Sequence, residues 1–496
     1  MHLFCSGKPV LIGSGSPKPR QAALDRPEIR LRLNIRKGRT PGGHRVKATT
    51  SESEPETQTQ SGSSQVPSAT SLTTEISYSQ EDKLFSTIDA SAAGLIHKPG
   101  TVFASATLVA GTTVGAGILA LPYSTQDAGF TASAAALTFA AFYNIITGLL
   151  IAEVSVNTMC QLGRGSTSIK TMAERTLGKA GAKITSASYI FLHYAMLSAY
   201  VTRSGEIIGD WTHLSHPVMS IAFVGGLGAL CFKAPSKLLD DFNSTLVIAI
   251  LVTFGGLLVA AGGNIEPSAL GKADWSALPE TVPTLSLVCV YQNVVPVIAS
   301  SLEGDIKKVR IAVCAGIAVP LVMFIAWDAT ILGNLGNPHL QEVMRTTGAK
   351  DPLDLLSKND PVVGPLIQFF SLAALTTSLI GFTLGLVDFV GDSLPLPPKH
   401  SRLLSYLAAL LPPAFFGVAF PDAFFSALDV AGTYGVLLLF GVIPAAMAWR
   451  ERYGETTLSR MQVVGGGAPV LLGIGGFAAV VITKELSQTL INALPH

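Results

Sequence analysis

Residues 110–122 read Ala110-Gly111-Thr112-Thr113-Val114-Gly115-Ala116-Gly117-Ile118-Leu119-Ala120-Leu121-Pro122. They sit in an interval without charge, residues 99–126, long enough to cross a bilayer core, which takes about 20 apolar residues. Yet Gly111, Gly115 and Gly117 fall near its centre, and each glycine costs a helix about 1 kcal/mol relative to alanine. The spacing predicts a spanning helix that breaks at mid-depth. Unwound backbone at that depth is tolerated only where it lines a cavity. A broken turn presents amide N–H groups that suit a carboxylate and frees carbonyls that suit an ammonium or a cation. Close packing of helices through small residues is the competing use of such glycines.

Working outward, the charges beyond Lys98 cluster between long uncharged intervals. These are 99–126, 129–152, 184–202, 217–232, 242–265, 281–302, 311–327, 361–387, 403–421, 430–449 and 461–483, which makes eleven spans. Loop charge tests that count. With the N-terminus inside, the even loops carry fifteen Lys and Arg, among them Arg164, Lys233, Lys307, Lys399, Arg402, Arg450 and Arg460, against six on the opposite side. An error of one span would invert every later loop, so the alternation supports both count and orientation.

Span 6 repeats the anomaly of span 1. Its centre reads Cys289-Val290-Tyr291-Gln292-Asn293-Val294-Val295-Pro296. Three polar side chains in a row are costly at mid-depth and face a cavity, and Pro296 removes a backbone donor. Spans 1 and 6 are five apart, an odd number, so a repeated five-helix unit inserts upside down. Interrupted helices at matching positions of two halves point to a transporter's binding site. Spans 1–5 and 6–10 form the two repeats, with span 11 appended.

Composition agrees. Of 496 residues 48% are hydrophobic and 14% charged, with mean hydropathy +0.46, where soluble domains carry about 25% charged residues. A net charge of +1 gives no pull toward nucleic acid. No GxxxxGK[ST] loop occurs, so no nucleotide partner follows. No catalytic or metal constellation occurs either, so the chain reads as no enzyme. The five cysteines, Cys5, Cys160, Cys231, Cys289 and Cys314, show no pairing pattern. Residues 1–50 are of another kind, with eleven Lys and Arg against two acids. That composition is expected of an organelle transit peptide; a basic cytosolic tail is the alternative. Residues 51–98 read as a disordered linker, 99–485 as the transmembrane domain and 486–496 as a short tail.

Other polar residues inside spans are candidates for coupling an ion, H+ or Na+. Glu153 ends the apolar run of span 2 and needs a partner or a proton. His193, beside Tyr194 in span 3, titrates near neutral pH. Thr376, Thr377 and Ser378 lie mid-span 8, where such hydroxyls usually bond back to their own helix. Asp328 interrupts span 7. No cofactor is expected.

The stretch from Thr112 to Pro122, followed by Gln126-Asp127-Ala128-Gly129-Phe130, resembles the opening helix of the tryptophan/tyrosine permease family, the hydroxy and aromatic amino acid permeases of the amino-acid/polyamine/cation superfamily. Gln292 to Pro296 with Leu302-Glu303-Gly304-Asp305-Ile306 resembles its sixth helix and the loop after it. Gly316 to Pro320 and Gly333 continue the match, and Ala431-Gly432-Thr433-Tyr434-Gly435 with Ile443-Pro444-Ala445 resembles the tenth helix. The resemblance covers about residues 100–485 and is nearest to plant and algal members with transit-like N-termini.

The resemblance implies an all-α polytopic membrane protein with the LeuT-like inverted five-helix repeat, and proton-coupled uptake of tyrosine or tryptophan. Carried over, Thr112, Thr113, Val114, Gly115, Ala116, Gly117, Tyr291, Gln292 and Asn293 form the substrate site, with Tyr194 beside it. Tyr291-Gln292 departs from what bacterial members carry before that break, which leaves the substrate within the family open. The expected location is the chloroplast inner envelope, or else the mitochondrial inner membrane. The rivals are a transporter of another amino acid or of an indole or phenolic metabolite, and a non-transporting membrane sensor with the same fold.

Overall fold

Long runs of Leu, Ile, Val, Ala and Phe without charge leave the backbone no partner but itself in an apolar medium, so they wind into helices. The computed structural model describes residues 88–91, 94–97, 100–162, 167–348, 350–393, 401–421, 423–454 and 461–493. The segment 1–50, most of 51–98, Arg164, Lys399 and Arg460 lie outside the described residues. Within the stretch expected to be a linker, Ile88–Ser91 and Gly94–His97 pair as two short antiparallel strands.

Among the described residues ten helices are long and apolar enough to cross a membrane: Val102–Thr125, Phe130–Leu162, His216–Lys233, Lys237–Gly262, Leu278–Ser301, Ile306–Asn334, Val363–Ser393, Arg402–Ala419, Phe424–Tyr453 and Gly467–Ile491. They correspond to spans 1, 2 and 4 to 11. Span 3 differs. It belongs to a helix that runs Ile169–Thr212, bent at Gly178 with φ 75°, so the basic stretch Lys170 to Lys183 is helical rather than loop. Its middle is richer in Ser, Tyr and His than the others. It can be, because Leu192, His193, Met196, Leu197 and Tyr200 are buried against neighbouring helices. The outer helices instead expose large apolar side chains, Val259 at 84% and Phe415 at 67%, which suits lipid.

Both expected breaks are present. Span 1 runs as the helix Val102–Thr113, an extended pair at Val114 and Gly115, a 3₁₀ turn Ala116–Ala120 and the half-helix Leu121–Thr125. Span 6 runs as Leu278–Val288, a break through Cys289 to Tyr291, a 3₁₀ turn Gln292–Val294 and the half-helix Val295–Ser301. The packing follows the repeat. Span 1 lies on span 7 as span 6 lies on span 2; span 3 meets span 10 as span 8 meets span 5; spans 3 and 4 pair as spans 8 and 9 do. Each pair becomes the other when five is added to or taken from its numbers.

The loop parity also holds. Lys170, near the start of span 3, reaches Ser393 at the end of span 8, and Tyr406 of span 9 reaches the Cys231 carbonyl at the end of span 4. The other face gathers the loop after span 1, where the Ala128 carbonyl accepts from Asp274 N–H, and the Lys350 carbonyl, which accepts from Gln126. Span 10 contains a π-helical stretch, Ala431–Val442. Among the described residues its Thr433 hydroxyl has no hydrogen-bond partner. Its glycines let it approach closely: a Cβ at Gly432 would lie 2.3 Å from the Pro283 carbonyl oxygen of span 6.

Candidate functional site

The break in span 1 faces a cavity between spans 1, 3, 6, 8 and 10. Thr112, Thr113, Gly115 and Gly117 form one wall; His193, Met196 and Tyr200 of span 3, Asn293 of span 6, Ser378 and Phe382 of span 8, and Phe440 of span 10 form the others. About 50 Å³ is free inside, room for a few waters, so a larger guest must turn the aromatic walls aside.

The helix Val102–Thr113 stops where its last carbonyls lose their partners. Beyond it the Ala116 N–H donates to Ser378 Oγ at 2.9 Å, and Tyr200 lines the cavity with the same serine. Gly115 sits against this corner: a Cβ there would lie 2.8 Å from Ser378 Oγ, so only glycine fits without displacing the serine. At Gly117 a Cβ would meet Val288 Cγ1 at 3.4 Å, an ordinary contact. Thr112 and Thr113 donate to the Leu108 and Val109 carbonyls, each at 2.8 Å. Their hydrogens are spent, but their oxygens can still accept from an ammonium. The Asn293 side chain is exposed to the cavity and offers both donor and acceptor.

His193 is the coupling candidate that lines the cavity. Its Nδ1 lies 2.8 Å from the Tyr189 carbonyl. A carbonyl only accepts, so Nδ1 carries a hydrogen, and in the neutral ring Nε2 is the acceptor. The ring stacks on Tyr189 with centroids 4.0 Å apart and tilts against Phe382 at 4.9 Å.

The other expected residues lie elsewhere. Val114 and Ala116 are in the break but do not line the cavity; Val114 N–H donates to the Ala110 carbonyl at 2.9 Å. Tyr291 is wholly buried and points to span 2, where its hydroxyl donates to the Asn144 carbonyl at 2.9 Å. Gln292 follows it, donating to Asn144 Oδ1 at 2.5 Å and to Thr147 Oγ1 at 3.0 Å. Tyr194 faces span 9, donating to the Ala408 carbonyl at 2.7 Å. Thr376 and Thr377 bond back to the Leu372 and Ala374 carbonyls of their own helix. Glu153 lies away from the cavity, bound by Arg452 and by the Val463 and Val464 amides.

So Thr112, Thr113, Gly115, Gly117, Asn293 and His193 come together, and the rest do not. Tyr200, Phe382 and Phe440 were not singled out from the sequence. One signal was available for Tyr200: His193, Met196 and Tyr200 recur at i, i+3 and i+7, one face of a helix.

The face opposite the basic loops has a wider cleft of about 430 Å³, lined by Tyr123, Arg203, Glu206, Asp351 and Phe424 among others. Arg203 there holds Glu206, Asp351 and Asp354, each at 2.9 Å. Burial pushes the Asp351 carboxyl up to about 6, against the pull of Arg203. Tyr123, from the half-helix Leu121–Thr125, stacks on Phe425 with centroids 3.8 Å apart and planes 14° from parallel.

Comparison with known proteins agrees with this architecture. The model for the tryptophan/tyrosine permease family matches residues 98–484. The chain is similar to a tyrosine-specific transport system 2 of Haemophilus influenzae, 28% identical over 386 residues that cover 75% of this chain and 93% of that one. It is similar to a tryptophan-specific transport protein of the same organism, 26% identical over 76% of this chain and 94% of that one. A glutamine transporter 2 of Aliivibrio fischeri is 26% identical over 72% and 90% respectively.

Proposed function

The chain belongs to the tryptophan/tyrosine permease family, and from that premise we propose that it carries tyrosine or tryptophan across an organelle membrane by alternating access, coupled to protons. The observation that supports this most is the broken turn at Gly115 opening into a cavity walled by Tyr200, Phe382, Phe440 and His193. The backbone groups of the break, with Thr112, Thr113 and Asn293, receive the amino acid's two charged ends. The aromatic walls receive its ring, which prefers offset or edge-on partners. A ring is favoured over the glutamine side chain named for one relative, because the walls opposite the break offer few polar groups beyond Asn293 and His193.

Residues 1–50 act as a chloroplast transit peptide, leaving the permease in the inner envelope, with 51–98 as the linker. The support is the basic, acid-poor composition. Import of the full chain into isolated chloroplasts, with mitochondria in parallel, tests this; uptake by mitochondria alone rejects the plastid assignment.

Transport is tested by counterflow of labelled tyrosine, tryptophan, phenylalanine and glutamine into liposomes holding the full chain. Saturable exchange of an aromatic amino acid, abolished by Gly115→Leu, is expected. Exchange of glutamine alone would move the substrate; no exchange at all from folded protein would favour a sensor.

A further inference from the structure

Asp328 lies in span 7 and is wholly buried. Its Oδ1 is 2.7 Å from Thr125 Oγ1, at the end of the half-helix Leu121–Thr125. Among the described residues its Oδ2 has no hydrogen-bond partner. The adjacent Trp327 is also wholly buried and packs on Phe254 and Phe370, so the surroundings are apolar.

The hydrogens can be counted. Thr125 Oγ1 is also 2.7 Å from the Leu121 carbonyl. A hydroxyl has one hydrogen, and a carbonyl can only accept. Thr125 therefore donates to Leu121, the bond a helical threonine ordinarily makes. The equally short contact with Asp328 then needs a hydrogen from the carboxyl itself. Asp328 is neutral in this geometry and donates to Thr125. If it ionised, two acceptors would compete for one hydrogen, and Oδ2 would hold charge in an apolar place with no donor.

Among the described residues no neighbouring charge relieves this. Span 1 contributes Thr125 and carries no charged residue. The charged residue of span 2, Glu153, is bound to Arg452. Span 5 has Lys237, Asp240 and Asp241 at its far end. In and beside the short helix Pro352–Asn359, Asp351 and Asp354 are held by Arg203, and Lys358 lies at that helix's last turn. Glu266 precedes the other short helix, Pro267–Leu270. Among the described residues the hydrogen-bond partner of Asp328 is Thr125.

We infer that Asp328 carries the coupling proton and reports its presence to the half-helix Leu121–Thr125. This rests on the proton-coupled reading above. The step is a simple exchange: Asp328 releases H+ to water and becomes a carboxylate, and no other bond is made or broken covalently. Thr125 must then turn its one hydrogen from the Leu121 carbonyl to the carboxylate. The Leu121 carbonyl keeps the Ser124 hydroxyl but loses that of Thr125, so the last turn of the half-helix loses one of its two side-chain braces. Uptake of H+ restores it.

The test uses the full chain in liposomes, with labelled substrate, and compares counterflow at equal pH with accumulation under a pH gradient. Asp328→Asn stands in for the neutral acid. It is expected to keep counterflow and to lose gradient-driven accumulation by about tenfold or more. Accumulation equal to wild type would overturn the assignment. Wild type that exchanges substrate yet ignores the gradient would bring down the proton-coupled reading itself, and this assignment with it. Should Asp328→Asn fail to fold, infrared spectra of wild type and Thr125→Val decide. A protonated-carboxyl C=O band at neutral pH that moves in Thr125→Val is expected, and the lack of any band responding to that change would overturn the assignment.

Discussion

Arg452 grips Glu153 with two prongs, Nε to Oε1 at 2.6 Å and a terminal guanidinium nitrogen to Oε2 at 2.7 Å, with neither side chain reaching solvent. The pair fastens the ends of spans 2 and 10, and the Val463 and Val464 amides add the approach to span 11. Removing one partner of a buried pair strands the other, at a cost of about 3–5 kcal/mol. Glu153→Gln is therefore expected to lower the melting temperature in detergent, and Glu153→Leu with Arg452→Leu to recover part of the loss. Folded Glu153→Gln that still responds to a pH gradient would show that Glu153 carries no coupling proton.

Ser378 takes the Ala116 N–H just past the break. In Ser378→Ala that donor is left buried without an acceptor, at about 1–3 kcal/mol. The expected result is a raised KM for counterflow together with a lowered melting temperature. Unchanged KM would mean that the serine does not hold the break in its binding shape.

Phe440 and Tyr291 separate selectivity from stability. Phe440 lines the cavity, while Tyr291 turns its ring away toward Asn144 and Gly148. An aromatic contact is worth about 0.5–1.5 kcal/mol beyond area, so Phe440→Ala should weaken competition by tyrosine and tryptophan several-fold relative to glutamine. Tyr291→Phe should leave that ranking alone and cost about 1 kcal/mol of stability. A changed ranking in Tyr291→Phe would place its side chain back in the substrate's path.

Asp351 gives a pH dependence of definite sign. Its folded value, about 6, lies above the ordinary 3.8. A carboxyl raised by folding adds stability that is full below the unfolded value and drains away as pH rises through the folded one. Melting temperature should therefore fall as pH climbs from about 4 to about 6, through this group. Asp351→Asn keeps an acceptor for Arg203 and for the Leu353 amide, yet cannot ionise, so its fall should be shallower. Equal slopes would reject the assignment.

The breaks were legible in the sequence because glycine and proline act where they stand. Gly115 and the Tyr291-Gln292-Asn293 run mark the two interruptions without reference to any partner. Loop parity was legible because charge near a membrane is summed over loops, not over contacts. What the sequence did not carry was direction. Tyr291, Gln292 and Asn293 are consecutive, and the backbone at Tyr291, with φ −147° and ψ 0°, decides that Asn293 alone meets the cavity. Thr376, Thr377 and Ser378 step around a helix in turn, and only the last faces span 1. Glu153 looked like a lone carboxylate because its partner Arg452 is 299 positions away.

The two breaks are not anchored alike. At span 6, Gln292 and Tyr291 reach span 2 through amide and phenol groups that hold no charge to lose. At span 1, the half-helix Leu121–Thr125 reaches span 7 through a single threonine and a carboxyl. One repeat is bolted to its neighbour, and the other is held by a catch. If the molecule rocks, it pivots on the Gln292 side and yields within the half-helix on the Thr125 side, so the symmetry of its ancestry does not extend to its working stroke.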